Sequence, residues 1–297
     1  MQLTALFSHF LVVAGVVMAA NLPIRIVTFN IRYAATNLDK NELPWEDRRT
    51  GLINQLSGVT ANATSDGAVS VLGLQEVLDN QLSDILDGLG SDTWTHIGFG
   101  RDDGATKGEY NPIIYRPDVL RLVHSEMKWL SPTPDEPSFG WDAGSRRVVV
   151  IGVFEHAATG KRFLHANTHL DNVSARARTE GVKVVVARIR AVLEQYGGLG
   201  VTLTGDFNSE PGEEAYTTLE DMGFLAELWT SGAKKLGTNE LTYTGFSTEE
   251  KSRIDFVWLG PVGESRYEAV QYEILDNDID EVFISDHRAV VADLELL

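Results

Sequence analysis

Short apolar, β-branched runs recur along the chain, each closed by turn residues: IRIVTFNI (24–31), VSVLGLQE (69–76), VVVIGVFEH (148–156), RFLHANTHL (162–170), VTLTGDFN (201–208), RIDFVWLG (253–260) and HRAVVADLEL (287–296). Their length and composition predict buried strands. Between them the apolar positions change to helical spacing over WEDRRTGLINQLSG (45–58), DNQLSDILDGL (79–89), ARARTEGVKVVVARIRAVLEQYGG (175–198) and GEEAYTTLEDMG (212–223). The third of these puts Arg and Lys on its exposed face and stops at Gly197-Gly198. VFEHAATGKRFLH reads as a hairpin turned at Gly160. Hairpins mixed with strand-helix-strand units suggest two packed sheets with helices outside. Nothing reads as a linker, repeat or low-complexity tract, so residues 21–297 are expected to form one domain.

The first twenty residues, MQLTALFSHFLVVAGVVMAA, hold no acidic or basic residue except His9 and end in small residues. They read as a signal peptide rather than a membrane anchor, because Ser8 and His9 interrupt an apolar run shorter than the roughly 20 residues a span needs. Secretion is therefore expected. The chain has no cysteine, so its stability rests on core packing. Asn62-Ala-Thr64 and Asn172-Val-Ser174 are glycosylation sequons that would fit export. The net charge of −18 (25 Lys and Arg against 43 Asp and Glu) falls on the part beyond the leader. Such a surface repels polyanions, which argues against stable binding to nucleic acid.

The stretch LTGDFNSEPG (203–212) ends a strongly apolar strand with Gly205 and then offers Asp206 and Asn208 two residues apart. In an extended chain such residues share a face; the alternative is a turn in which each side chain bonds its own backbone. Most of the other strands also end in polar residues that packing does not require: Asn30, Gln75-Glu76, His169 with Asp171, and the Asp286-His287 turn. Asp255 lies inside an apolar run, where an ionised carboxylate is costly unless paired. Glu76, Asp206, Asp255 and Asp286 converging at one end of the sheets would repel one another unless a cation or protons neutralise them. Oxygen and amide donors without cysteine point to Mg²⁺ or Mn²⁺. The two histidines would then contact an anionic substrate or orient the attacking water. These are the ingredients of metal-assisted phosphoester hydrolysis.

TFNIRY, LQEV, NTHLD, GDFNSEPG, RIDFVW and SDHRAVV, in this order over residues 28–291, closely resemble the motifs of the endonuclease/exonuclease/phosphatase (DNase I-like) superfamily. The resemblance implies a four-layer α/β/β/α sandwich. It also implies that Glu76 binds the divalent metal, with Asn30 close to metal and phosphate and Asp286 near the metal. His169 would touch the scissile phosphate. Asp206 would orient or deprotonate the attacking water, and Asn208 would hold that water or the phosphate. His287, paired with Asp255, would stabilise charge building on the phosphate oxygens, where most phosphoryl-transfer catalysis arises.

The segments GFGRDDGATKGEYNPIIYRP (98–117) and PSFGWDAGSRRV (137–148) resemble a secreted or bacterial subgroup of that superfamily. In them Arg101, Tyr115 and Trp141, with Arg146 or Arg147, are candidates to line the substrate pocket, and Asp171 is a further one. Many relatives carry a second His after THLD, whereas this chain has Asn172. The expected function is a secreted Mg²⁺- or Mn²⁺-dependent phosphoesterase acting on a small molecule or an exposed phosphate ester. A nuclease, either a deadenylase-like 3'-5' exoribonuclease acting at a nucleic acid end or an endonuclease, is the enzymatic alternative, and a binding protein of the same fold that has lost turnover is the non-enzymatic one.

Overall fold

The computed structural model describes residues 21–297 except residue 250; the proposed signal peptide lies outside the described residues. In chain order the first half runs β1 (Leu22–Asn30), α1 (Trp45–Ser65), β2 (Val69–Gln75), α2 (Asp79–Leu89), β3 (Thr95–Ile97), β4 (Ile113–Tyr115) and β5 (Leu120–Trp129). Next come β6 (Val148–His156), β7 (Arg162–His169), α3 (Ala175–Tyr196), β8 (Gly200–Asp206) and α4 (Glu214–Asp221). The chain finishes with β9 (Ala226–Glu227), β10 (Lys234–Leu236), β11 (Asp255–Gly260), β12 (Tyr267–Ile274), β13 (Asp278–Ile279), β14 (Val282–Phe283) and β15 (Val290–Leu296).

The strands form a seven-stranded sheet ordered β10-β12-β15-β1-β2-β4-β3 and a six-stranded sheet ordered β5-β6-β7-β8-β11-β9, with β13-β14 as a separate ribbon. Three apolar cores define the layers. Leu52 and Leu56 of α1 and Leu82 and Ile85 of α2 pack on Val27, Phe29, Leu72 and Leu74 of the first sheet. Ile24, Val71, Val150, Phe154, Phe163 and Val257 fill the space between the sheets. Val182, Val185 and Ile189 of α3 and Leu219 of α4 cover Ile151, Leu164, Leu203 and Trp258 on the far side of the second sheet. The result is the expected α/β/β/α sandwich. No helix among the described residues is long and apolar enough to cross a membrane.

Helix α1 continues past Gly58, where its apolar pattern had suggested an end, because Leu56, Thr60 and Ala63 keep one face buried and an interior glycine costs only about 1 kcal/mol. Strands β5 and β12 were not predicted. Each lies toward the edge of its sheet and buries mainly its ends or scattered positions, so no uniform apolar run marks it. The β6-β7 hairpin forms as expected, with Glu155 opposite Arg162 and Gly160 at φ 71°.

Beneath the site the two sheets are tied by buried polar groups. Gln75 Nε2 donates to Asn167 Oδ1 at 2.7 Å and Thr204 Oγ1 donates to the same oxygen at 3.0 Å. This crossing passes over Gly73, where an added Cβ would stand 2.4 Å from Thr204 Oγ1. Gly205 has a different constraint: its Cβ would lie 2.2 Å from the Thr168 carbonyl oxygen of the neighbouring strand.

Candidate active site

The site is built where the parallel pairs β1/β2 and β7/β8 end. Register places Asn30 beside Gln75 in one sheet and His169 beside Asp206 in the other. Strand β11 runs antiparallel to β8 and starts at Asp255, directly opposite Asp206. The Asp286-His287 turn enters just before β15. Arg48 secures this end, donating to the carbonyls of Ile31, Arg32, Tyr33 and Ile284, so the loops carrying Asn30 and Asp286 are held by one buried guanidinium.

Asn30 bridges the sheets, its amide donating to Glu76 Oε1 at 3.1 Å and to Asp206 Oδ2 at 2.9 Å. Glu76 (φ 60°) and Asn208 (φ 46°) hold left-handed backbone conformations, which side chains other than glycine tolerate at a cost and which recur at functional sites. Of the two readings of GDFN the structure shows the turn, not an extended chain in which Asp206 and Asn208 share a face. Asp206 Oδ1 accepts from the Asn208 backbone N–H at 2.9 Å, an Asx turn. That turn, rather than strand alternation, brings Asn208 back so that its Nδ2 donates to His169 Nε2 and to the Leu170 carbonyl, both at 3.1 Å.

Asp206 and Asp255 face each other as like charges. His287 lies between them, its Nδ1 donating to Asp255 Oδ2 at 2.8 Å and its Nε2 standing 3.7 Å from Asp206 Oδ2. Burial opposes protonation of His287, but Asp255 and Asp206 outweigh it and hold the imidazole charged. Burial, then the Asp255 charge, pushes the Asp206 carboxyl up to about 7. His169 is the opposite case: burial first, then Arg147, Arg101 and His287, keep its ring neutral. Burial, with Glu76 adding repulsion, also raises the Asp286 carboxyl.

Asp206, Asp255 and His287 lie within 4.8 Å of one another, yet their hydrogen bond and opposed charges already hold this trio together. A hard divalent cation better suits Glu76 and Asp286, two carboxylates that repel each other; the Asn30 amide meets Glu76 through its N–H and orients that carboxylate. Oxygen donors without any thiolate fit such an ion.

The expected substrate-facing residues divide. Arg101 is paired in bidentate fashion with Glu109 at 2.6–2.7 Å, and its charge reaches His169. Trp141 (φ 50°) is half-buried, and its carbonyl accepts from Ser174 Oγ, docking the 137–147 loop at the head of α3. Tyr115 is not at the site: it lies in β4 opposite Val71 and packs its ring on Phe154 in the inter-sheet core, with centroids 4.9 Å apart. Its apolar surroundings explain the placement. Asp171 does not face substrate either, because its oxygens accept the backbone N–H groups of Gly144, Ser145, Val173 and Ser174. It shapes the loop instead.

Several participants carried no sequence signal of their own. Ser285 Oγ donates to the Asn30 carbonyl at 2.7 Å, and the Tyr243 ring lies 5.0 Å from the His287 ring. Burial and repulsion from Glu76 push the Glu109 carboxyl up to about 7. Ser285 and Glu109 lie inside segments whose resemblance was read from other residues, SDHRAVV and GFGRDDGATKGEYNPIIYRP, and Tyr243 lies in a loop without a motif.

Residues 27–287 match the Endonuclease/Exonuclease/phosphatase family, and the chain belongs to it. It is thus a metal-dependent hydrolase of ester bonds. A family protein from Bacteroides vulgatus is similar over 93% of this chain and 99% of its own, at 32% identity and a TM-score of 0.78. Another, from Bacteroides thetaiotaomicron, is 27% identical over 93% of this chain and 99% of its own, with a TM-score of 0.80. The mannosyl-6-phosphatase of Bacteroides thetaiotaomicron is 28% identical over 91% of this chain and 99% of its own, with a TM-score of 0.76. A comparison with curated proteins gives no match.

Proposed function

We propose that the protein is an exported phosphoesterase that hydrolyses a small or terminally exposed phosphate ester by attack of an activated water, with Mg²⁺ or Mn²⁺ as its metal. The observation that carries this reading is that His169 Nε2 and His287 Nε2 stand 3.5 and 3.7 Å from the same oxygen of Asp206, to which Asn30 of the other sheet also donates. Asp206 orients the water and takes its proton, and Asn208 fixes the His169 ring. His169 contacts the phosphate. His287, charged through Asp255, neutralises the oxygens as charge develops. Glu76 and Asp286, with Asn30 at hand, would hold the metal, which supplies Lewis-acid stabilisation of the phosphoryl oxygens when bound.

Two features favour a small substrate over a polynucleotide. The surface charge of −18 opposes long-range attraction of nucleic acid, and a relative of 28% identity is a mannosyl-6-phosphatase. Export is supported by the uncharged, apolar residues 1–20.

The test is hydrolysis of a matched panel: a sugar 6-phosphate, a generic phosphomonoester, a generic phosphodiester, and single-stranded RNA and DNA. Each is incubated with Mg²⁺, with Mn²⁺ and with chelator, beside His169→Ala. Metal-dependent turnover of the small esters alone is expected. Turnover of the polynucleotides alone would replace this reading with the nuclease, and turnover of nothing by folded, metal-bearing protein would replace it with a binding protein.

A further inference from the structure

We propose that Arg147, backed by Arg101, binds the extra charge and oxygen of a terminal phosphate, so that the enzyme selects phosphate monoesters over diesters. The inference rests on the phosphoesterase reading above and names the substrate class of that same site.

Arg147 is only 6% exposed, yet its Nε and Nη1 meet no acceptor among the described residues. Among the described residues the guanidinium's one hydrogen bond runs from Nη2 to the neutral carbonyl Oδ1 of Asn172 at 3.0 Å. The nearest carboxylate, Asp171, stands 3.6 Å from Nε and already accepts four backbone N–H groups. Arg101 brings a second guanidinium, but its charge is matched by Glu109. Of these two guanidiniums Arg147 is the one with open donors, although Glu109 and Glu76 also act on its charge.

Its place in the fold is the catalytic end of the second sheet. Arg147 immediately precedes β6, whose Val149 pairs with Thr168 of β7, so it sits at the same end of the sheet as His169. Both guanidiniums act on the His169 ring.

Open donors on a buried guanidinium are costly, and an anion entering the site would satisfy them. A guanidinium is also matched to phosphate, offering two parallel N–H donors to two oxygens. Every phosphate ester offers the atoms that His169, His287 and a metal address. A monoester adds a third terminal oxygen and, near neutral pH, a charge approaching −2. Arg147 can use both, whereas a diester has neither to offer. Asn172, a neutral acceptor, steers the guanidinium without cancelling its charge.

The experiment compares wild type, Arg147→Gln and Asn172→Asp in the Mg²⁺-bearing full chain, using p-nitrophenyl phosphate as monoester and bis(p-nitrophenyl) phosphate as diester. Arg147→Gln is expected to lower kcat/KM for the monoester about 10- to 100-fold more than for the diester, the range for a charged hydrogen bond. Inorganic phosphate should inhibit the variant correspondingly less. Asn172→Asp changes an exposed position and supplies Arg147 with a competing carboxylate, so it should reproduce the selective loss even if Arg147→Gln folds poorly. Equal losses on both esters, or no loss on either, would overturn the proposal. If wild type hydrolyses neither ester, the phosphoesterase reading fails, and calorimetric binding of inorganic phosphate decides the anion site separately: binding lost in Arg147→Gln supports it, and binding unchanged or absent in wild type overturns it.

Discussion

Asp206 and Asp255 stand opposite each other across β8 and β11, and His287 reaches between them, 2.8 Å from one carboxylate and 3.7 Å from the other. Two buried carboxylates in adjacent strands would destabilise the fold if both stayed ionised without a partner. The imidazolium resolves this and is itself maintained by the pair. Asp255→Asn keeps the shape and removes the charge that holds His287 protonated. The expected result is a kcat lower by about 100-fold or more with KM little changed, and a thermal midpoint below wild type, since the buried His287–Asp255 ion pair loses its anion. A kcat within threefold of wild type would remove Asp255 from the mechanism.

The polar crossing under the site tolerates no side chain at Gly73. A methyl there meets Thr204 Oγ1 at 2.4 Å and Asn167 Oδ1 at 2.7 Å, so Gly73→Ala should cost about 1–3 kcal/mol as an overpacked core. Gly205→Ala meets a backbone carbonyl at 2.2 Å, which cannot rotate away, and should cost more than Gly73→Ala. Urea denaturation of both variants checks the order as well as the size.

These contacts also show what the sequence could reveal. The strands bearing the site were legible because burial on both faces makes apolar runs, and a polar residue ending such a run stands out. Asp206 and Asn208 were found that way, although the turn that unites them was foreseen only as the less functional alternative. Tyr115 shows the limit: a tyrosine in a loop-rich segment gives no local sign of whether it faces the cleft or, as here, the inter-sheet core. Arg147 was legible only as one of two adjacent arginines, because its open donors result from contacts made by Asp171 and Asn172 some 25 residues away in sequence.

His165 gives a pH dependence independent of the catalytic groups. It is fully buried between Thr202 and Thr204 and held neutral, its pKa lowered from 6.5 to about 3 by burial. The unfolded chain binds this proton first as pH falls, so the histidine contributes nothing adverse above pH 6.5 and costs stability progressively from there down to about pH 3. Over the two units below pH 6.5 the His165 contribution should approach about 3 kcal/mol, and because the raised carboxyls of Asp206 and Glu109 titrate in the same range, it is read as the difference between wild type and variant. His165→Gln should flatten that part of the stability profile, measured by urea midpoints between pH 7 and pH 4.5. A profile identical to wild type would show that His165 is not the group responsible.

The two sequons are not equivalent in the fold. Asn62 is exposed on α1, whereas Asn172 holds Arg147 and its sequon serine caps α3 by accepting from Ala177 N–H. In a glycosylating secretory host the glycan is expected on Asn62 alone. Asn62→Gln should then abolish the mass increment, and an increment that persists until Asn172→Gln is added would contradict the assignment.

Crowded carboxylates make a last prediction separable from turnover. Glu76 and Asp286 repel each other at the loop ends of the two strands they follow or precede, so a divalent cation bound there stabilises the folded state by mass action, about 2.7 kcal/mol at one hundred times its dissociation constant. Mg²⁺ or Mn²⁺ should raise the thermal midpoint and EDTA should reverse the rise. Glu76→Ala removes a ligand and relieves repulsion at once: its metal-free midpoint should equal or exceed that of wild type, while the metal-induced increment shrinks or disappears. Asp255→Asn, outside this donor set, should retain the increment. If Glu76→Ala kept the full increment and Asp255→Asn lost it, the cation would belong instead to the Asp206, Asp255 and His287 trio, and the division of labour between the two halves of the site would have to be reversed.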